Sequence, residues 1–174
     1  MREGSEVRGE SVDIYLAYIH MTSLGIRVTP KIVYYAITKQ EGDNAGLMIC
    51  DKLIVPVALP VPEQLKFLRD TFLDIIYENG VKNACIRVIE ANAQSYDYDR
   101  AQMEGVLQEM IASSTIEQYY LGRIASMSNK LGIDRKDYSA LLSADTCAFI
   151  PEWKDTKNKE KREAMLASYS ALNL

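Results

Sequence analysis

The chain has 174 residues, which suits one domain with a sizeable core. Its 48% hydrophobic and 25% charged residues are ordinary for a soluble globular protein. A net charge of −4 excludes nucleic-acid binding by bulk charge alone, because phosphate contacts need at least a local surplus of Lys and Arg. No apolar run reaches the roughly 18–20 residues of a membrane span, and the polar N-terminus lacks the apolar core of a signal peptide. We therefore expect a cytoplasmic protein without a membrane partner.

The cysteines and the single histidine do not form a metal or disulfide pattern. Cys50, Cys85 and Cys147 are far apart in sequence and have no CxxC partner, so we expect free thiols in a reducing compartment. His20 has no second His, Cys or acidic cluster beside it, which favours packing over metal ligation.

The first half of the chain predicts an N-terminal extension followed by a three-stranded meander. Residues 1–30 are expected to form the extension, with an irregular start and then a helix over 11–25, although Val, Ile and Tyr there also suit a strand. The meander strands are KIVYYAITK (31–39), LMIC (47–50) and LIVPVAL (53–59). A Gly/Asn/Asp turn separates the first two strands, and a tight turn at Asp51-Lys52 separates the last two.

The second half predicts alternating helices and strands, so that 31–174 form a single domain. Apolar residues at helical spacing predict a helix over 63–79, stopped by Asn79-Gly80. ACIRVIE (84–90) predicts a strand parallel to the first, and Asp99 is the expected cap of the next helix. Gly105 inside that helix is expected to reflect close helix-to-sheet packing. The rest of the chain predicts a fifth strand (115–122) and short helices near 123–133 and 138–142. An exposed segment with Trp153 and a last helix (159–172) follow.

Sequence patterns of the common enzyme classes are missing. The chain has no GxGxxG or Walker pattern and no GxSxG, and its lone histidine offers no Ser–His or Cys–His dyad.

The order of elements resembles the ribonuclease H-like fold, and within it the RuvC-like branch of Holliday-junction resolvases and their relatives. The resemblance covers roughly Lys31 to Leu172. It depends on Ile89-Glu90 closing the fourth strand, on the polar loop that follows, and on the helix with Gly105 near its second turn. It implies a five-stranded mixed sheet, three antiparallel strands plus two parallel ones, flanked by helices.

The resemblance also implies a catalytic site. Enzymes of this family cut phosphodiesters with two divalent metals such as Mg²⁺, held by carboxylates from separate elements. The acids are an Asp in the first strand, a Glu at the end of the fourth and acids at the start of the last helix. Glu90 matches the second of these, and Glu160 and Glu163 flank Lys161-Arg162 at the third. Aligning YYAIT with the family's apolar-apolar-Gly-Ile-Asp pattern puts Thr38 at the Asp position, and a neutral hydroxyl cannot replace a metal-bridging carboxylate.

Two other groups of residues are candidates for nucleic-acid contact. Lys157, Lys159, Lys161 and Arg162 belong to the one basic tract, although interleaved acids also fit a solvated helix face. Tyr96 and Tyr98 lie in the polar loop and suit base stacking, or packing on the neighbouring surface.

Three functions follow as hypotheses. The first is a RuvC-like domain with a degenerate metal site and no cofactor, which binds nucleic acid or acts as a scaffold in DNA processing or genome defence. The second is an active Mg²⁺-dependent nuclease with rearranged carboxylates, including Glu90, Glu160 and Glu163. The third is a protein-interaction module without nucleic-acid contact. A protein partner or a homodimer fits all three.

Overall fold

The computed structural model describes residues 20–90 and 97–174. In chain order the elements are β1 His20–Val28, β2 Ile32–Glu41, β3 Asn44–Ile54, α1 Val61–Asn79, β4 Asn83–Arg87, α2 Tyr98–Ala112, β5 Gln118–Gly122, α3 Ile124–Leu131, α4 Tyr138–Ser143, a 3₁₀ helix Pro151–Asp155, and α5 Lys159–Ala171. Among these residues, no helix is both long enough and apolar enough to cross a membrane.

The strands form one mixed sheet in the order β3-β2-β1-β4-β5. β1, β2 and β3 pair antiparallel, whereas β4 pairs parallel with both β1 and β5. One face packs on α1 and α2, and the other packs on α5 with α3 and α4 around it. The predicted five-stranded ribonuclease H-like sheet, with three antiparallel and two parallel strands, is confirmed.

The first strand is not the predicted one. Residues 20–28, expected in a helical extension, form the central strand β1. Its residues toward α1 and α2 are apolar (Leu24, Ile26), but those toward α5 include Ser23, Gly25 and Arg27. A central strand with one small and polar face has no continuous apolar run, and the sequence pattern therefore hid it.

β3 is longer than predicted and replaces two of the expected meander strands. Asp51 and Lys52 do not turn the chain but lie inside β3, paired with Tyr35 and Tyr34 of β2. Both side chains are exposed because β3 is an edge strand with a solvated face, where charges are tolerated. The sequence prediction of a turn there was wrong.

Three smaller predictions are corrected by the local contacts. Asp97, not Asp99, caps α2, with its carboxylate accepting a hydrogen bond from the Arg100 N–H at 2.9 Å. Trp153 is fully buried rather than exposed, and its Nε1 donates to the Ala144 carbonyl at 3.2 Å. Gly105 is exposed on α2, with no atom within 4 Å of where a Cβ would lie, so close packing does not explain it.

Candidate functional site

The carboxyl ends of β1, β4 and β5 lie at one edge of the sheet, where three helices also begin. Helix α5 runs antiparallel to β1, since Ser168 contacts Ser23 while Glu163 contacts Arg27. The N-terminal residues of α2 and α3 reach the same edge, through Arg100 and Ile124. Helix N-termini carry partial positive charge, and in open α/β sheets this edge is the usual place for a ligand.

Arg27 and Arg87 lie side by side at this edge. They are direct partners in the parallel register of β1 and β4, so both side chains point to the α5 face. A Cβ at Gly25 would lie 2.1 Å from the Ala164 carbonyl oxygen of α5, and only glycine permits this close approach of the helix. Gly25 therefore allows α5 to place its first turns directly over the two arginines.

Glu163 of α5 lies between the two guanidinium groups. Its Oε2 is 2.5 Å from Arg27 Nε, and its Oε1 is 3.2 Å from Arg87 Nε. All three side chains are at most 16% exposed. Because two neighbouring guanidinium groups repel each other, the bridging carboxylate is what makes their burial tolerable.

Glu90 extends this arrangement beyond the end of β4. Its Oε1 is 2.9 Å from Arg87 Nη1 and accepts a hydrogen bond from the Ile124 N–H at 3.0 Å. The carboxylate thus joins an arginine of the sheet to the first residue of α3. We call Arg27, Arg87, Glu90 and Glu163 the ion-pair cluster.

A second layer of polar residues surrounds the cluster. Tyr138 of α4 is fully buried; burial raises its pKa, and the nearby Glu163 carboxylate raises it further. Arg100 pairs with Glu104 at 2.7 Å and reaches the Arg87 carbonyl at 3.5 Å. Burial lowers the pKa of Arg100 and the positive charge of Arg27 lowers it further, while the Glu104 carboxylate opposes both.

The predicted acids are only partly brought together. Glu90 and Glu163 both belong to the cluster, whereas Glu160 lies one turn earlier in α5 and is half-buried. Thr38 is in β2, away from the first-strand position, and its hydroxyl accepts a hydrogen bond from Ser168 at 2.7 Å. In residues 20–90 and 97–174 no group of three or more His, Cys, Asp or Glu is arranged to hold a metal ion.

The predicted basic tract does not form one surface. Arg162 is 1% exposed, and its hydrogen bonds to described residues all go to carbonyl oxygens, so it is part of the core. Lys157 pairs with Asp145, and Lys161 reaches the Cys50 carbonyl at 3.4 Å. Lys159 is exposed at the start of α5.

The two predicted tyrosines are placed differently by the structure. Tyr98 is the first residue of α2 and is 73% exposed. Tyr96 lies outside the described residues.

Arg27, Arg87 and Arg100 were not predicted as site residues, because the site that the resemblance implies is built from carboxylates. A signal was present in the strands. Arg27 interrupts SLGIRV and Arg87 interrupts ACIRVIE, and a charge within a buried strand needs a partner.

The sheet order and the helices on its two faces are those of the ribonuclease H-like fold, and solved RuvC structures share this fold. The structure of Thermus thermophilus RuvC matches with a TM-score of 0.64 at 10% identity, over 86% of this chain and 92% of that one. The T. thermophilus RuvC structure in complex with a Holliday junction substrate matches with a TM-score of 0.67 at 11% identity, over 87% and 92%. At such identity the similarity shows the fold alone. No protein-family model matches the sequence, and neither does any curated protein.

Proposed function

We propose that this chain is a RuvC-like domain that binds nucleic acid without cleaving it. The observation that carries the proposal is the Arg27–Glu163 pair, 2.5 Å apart, at the edge where the enzymes of this family hold metal ions. The proposal keeps the first hypothesis from the sequence and replaces the reason for it, since an arginine and not a threonine takes the critical position.

The register of β1 supports this position for Arg27. The family pattern of an apolar residue, Gly, Ile and then Asp falls on the true first strand as Leu24-Gly25-Ile26-Arg27. Arg27 then stands where the metal-bridging Asp belongs. The substitution reverses the charge, which is a larger departure than a neutral hydroxyl would be.

The residues present do not fit a two-metal centre. Mg²⁺ requires several oxygen ligands, but both carboxylates of the cluster already bind guanidinium groups. A divalent cation would also lie beside Arg27 and Arg87 and be repelled by both. The arginines supply the positive charge that metal ions would otherwise bring to these carboxylates.

Support for nucleic acid comes from the fold and from the local charge. The structures that share this fold include T. thermophilus RuvC in complex with a Holliday junction substrate. At the corresponding edge of this chain three helices begin, and exposed Lys159 extends the positive potential along α5. Local charge of this kind is compatible with a net charge of −4.

A second candidate function, protein interaction, is favoured by one apolar segment. Between β3 and α1 the large side chains of Ile54, Val57, Leu59 and Val61 are 63%, 61%, 39% and 45% exposed. Where exposed apolar side chains form a contiguous patch, such a patch is typical of surfaces that bind another protein. A homodimer or a larger DNA-processing or defence assembly would use such a surface, and so would a module without nucleic-acid contact.

Binding and cleavage assays on the full chain test the proposal. Labelled four-way junctions, single-stranded DNA and RNA are incubated with the protein in Mg²⁺ or Mn²⁺. We expect a salt-dependent mobility shift with at least one substrate and no cleavage of any. Cleavage that Glu90→Gln abolishes, in a variant that circular dichroism shows to be folded, would establish the active nuclease instead. Failure to bind any of the substrates at low salt would favour the interaction module.

A charge-restoring variant tests the metal argument directly. Arg27→Asp would place a third carboxylate beside Glu90 and Glu163. Arg69→Asp, on the partly exposed side of α1, makes the same change of charge and is the matched control. Calorimetric titration with Mn²⁺ should detect binding by Arg27→Asp and none by the wild type or Arg69→Asp. Equally tight Mn²⁺ binding by the wild type would contradict the proposal.

A further inference from the structure

A groove of about 260 Å³ lies beside the ion-pair cluster, between the end of β1 and the start of α2. Its lining comprises Arg27, Val28, Thr29, Pro30, Ile89, Asp97 and Arg100. Two of these residues are cationic and one is anionic, while Val28, Pro30 and Ile89 are apolar. An apolar wall strengthens the attraction between a bound anion and the two guanidinium groups because it lowers the local dielectric constant.

Arg27 enters this groove with donors to spare. Within the described part of the chain its hydrogen bonds engage Nε, which binds Glu163, and Nη1, which donates to the Val28 carbonyl at 2.6 Å. These two bonds fix the plane of the guanidinium group. The N–H groups on Nη2 remain as donors for a ligand in the groove.

Arg100 is held in a similar way from the opposite wall. Its Nε donates to Glu104 at 2.7 Å and its Nη2 reaches the Arg87 carbonyl at 3.5 Å, which leaves Nη1. Burial lowers the pKa of Arg100 and the charge of Arg27 lowers it further, while the paired Glu104 carboxylate opposes both. An anion between Arg27 and Arg100 would accept hydrogen bonds from the N–H groups that the Glu163 and Glu104 pairs leave over, so the arrangement is complementary to negative charge.

Asp97 is the one carboxylate in the lining, and it caps helix α2. Asp97 accepts a hydrogen bond from the Arg100 N–H at 2.9 Å and so caps the N-terminus of α2. The remaining positive end of this 15-residue helix faces the same groove. The anion site would therefore be formed mainly by two preorganised arginines, with the helix adding a smaller favourable potential.

We propose that this groove binds a phosphate group, and specifically a backbone phosphate of the nucleic acid, through the guanidinium groups of Arg27 and Arg100. The inference rests on the proposed function, which it deepens by naming the contacted chemical group. A planar guanidinium held by other bonds matches phosphate oxygens at little cost in side-chain entropy. The phosphate is bound directly by arginine, without a metal ion between protein and substrate.

A titration with inorganic phosphate tests the groove without nucleic acid. In a ¹⁵N-labelled full chain, the Nε–Hε signals of Arg27 and Arg100 should shift in a saturable manner as phosphate is added at constant ionic strength. Arg69 is the matched control, since its Nε donates to Glu109 at 2.7 Å on an exposed helix surface. Shifts of equal size at Arg69, or none at the two groove arginines, would overturn the inference.

Oligonucleotide binding then tests whether the group is a backbone phosphate. Fluorescence anisotropy should show that Arg100→Gln weakens binding about tenfold, the effect of losing one charge-assisted hydrogen bond. The slope of log affinity against log salt should fall by about one. Arg69→Gln should change neither quantity, and Arg100→Lys should restore the slope more than the affinity. Circular dichroism of each variant establishes that it is folded before binding is measured.

The outcomes separate this inference from the proposed function. If the wild type binds nucleic acid while Arg100→Gln and Arg69→Gln bind equally well, the phosphate groove is wrong and the proposed function stands. If phosphate shifts the two groove arginines but no nucleic acid binds, the groove is an anion site and the proposed function falls. Should Arg100→Gln fail to fold, the same Arg Nε–Hε signals of the wild type are followed as the oligonucleotide is added. Shifts at Arg27 and Arg100 but not at Arg69 would support the inference, and equal shifts or none would overturn it.

Discussion

Two regions of the molecule bury arginines in different surroundings. One surrounds Arg162 of α5, and the other is the ion-pair cluster. Arg162 is 1% exposed and donates to the carbonyls of Thr156, Leu142, Ala144 and Trp153 at 2.8–3.1 Å. Its guanidinium group also stacks on the Trp153 ring, 4.6 Å from the ring centre. Every described partner comes from the segment before α5, so this arginine fixes the path of that segment against the helix.

Glu163, the next residue after Arg162, belongs to the ion-pair cluster. The arginines of that cluster have different hydrogen-bond partners. There Arg27 and Arg87 share a carboxylate, in addition to one backbone carbonyl each. Arg27 also lines a groove at the edge of the sheet. An arginine whose donors all reach backbone carbonyls serves folding. Arginines that are paired with carboxylates and retain donors toward a groove are equipped to bind a ligand. The partners, and not the residue type or its burial, distinguish the two roles.

The largest expected effect is the loss of Arg162. Arg162→Met keeps much of the apolar volume but removes a donor from four carbonyls, of which Ala144 keeps the Trp153 Nε1–H. We expect the free energy of unfolding to fall by about 4 kcal/mol. Urea denaturation followed by circular dichroism measures this. Arg162→Lys should be almost as harmful, because an ammonium group cannot reach carbonyls spread over a planar fork. A loss below 1 kcal/mol in both variants would mean that the carbonyl cage is not what holds this segment.

The next effect concerns the bridging carboxylate of the other region. Glu163→Gln leaves two adjacent buried guanidinium groups without their shared counter-charge, so we expect destabilisation of about 3 kcal/mol. Glu160→Gln, at a half-buried position one turn earlier in α5, is the matched control and should cost less than 1 kcal/mol. Equal losses in the two variants would argue that the cluster is an ordinary solvated network.

A pH titration distinguishes the two regions through their buried thiols. Burial raises the pKa of Cys85, two residues before Arg87, to about 11, and the Tyr120 and Ser170 hydroxyls only partly oppose this. Because the folded state favours the neutral thiol, its contribution is complete below the ordinary pKa near 9 and is lost as the pH rises toward 11. We expect the free energy of unfolding to fall by about 2 kcal/mol between pH 9 and pH 11.

Alanine variants assign this alkaline loss to a region. Burial also raises the pKa of Cys147 in the Arg162 region, but that side chain is 8% exposed whereas Cys85 is fully buried. Cys85→Ala should therefore flatten the alkaline stability profile more than Cys147→Ala does. A profile that is the same in the wild type and in Cys85→Ala would show that another group titrates in this window.

The sequence could predict the fold better than the site, for a physical reason. Helix α1 and helix α5 carry apolar residues at helical spacing, and that local pattern was enough to place them correctly. The cluster depends on non-local register instead: the pairing of β1 with β4 and the close approach of α5 at Gly25. Nothing within the sequence near Arg27 indicates that Glu163, 136 residues away, is its partner.

The smallest expected effect is a gain in stability that leaves both regions untouched. Gly105 lies on the exposed side of α2, where a Cβ would meet nothing within 4 Å, so Gly105→Ala should raise the free energy of unfolding by about 1 kcal/mol. Gly25→Ala is the opposing control, since its Cβ would lie 2.1 Å from the Ala164 oxygen and force α5 away from the arginines. Because α2 also carries Arg100, unchanged oligonucleotide affinity in the stabilised variant would show that binding follows the charges of the groove and not the stability of the helix. A change in affinity as large as that of Arg100→Gln would instead mean that ordering of α2 controls binding.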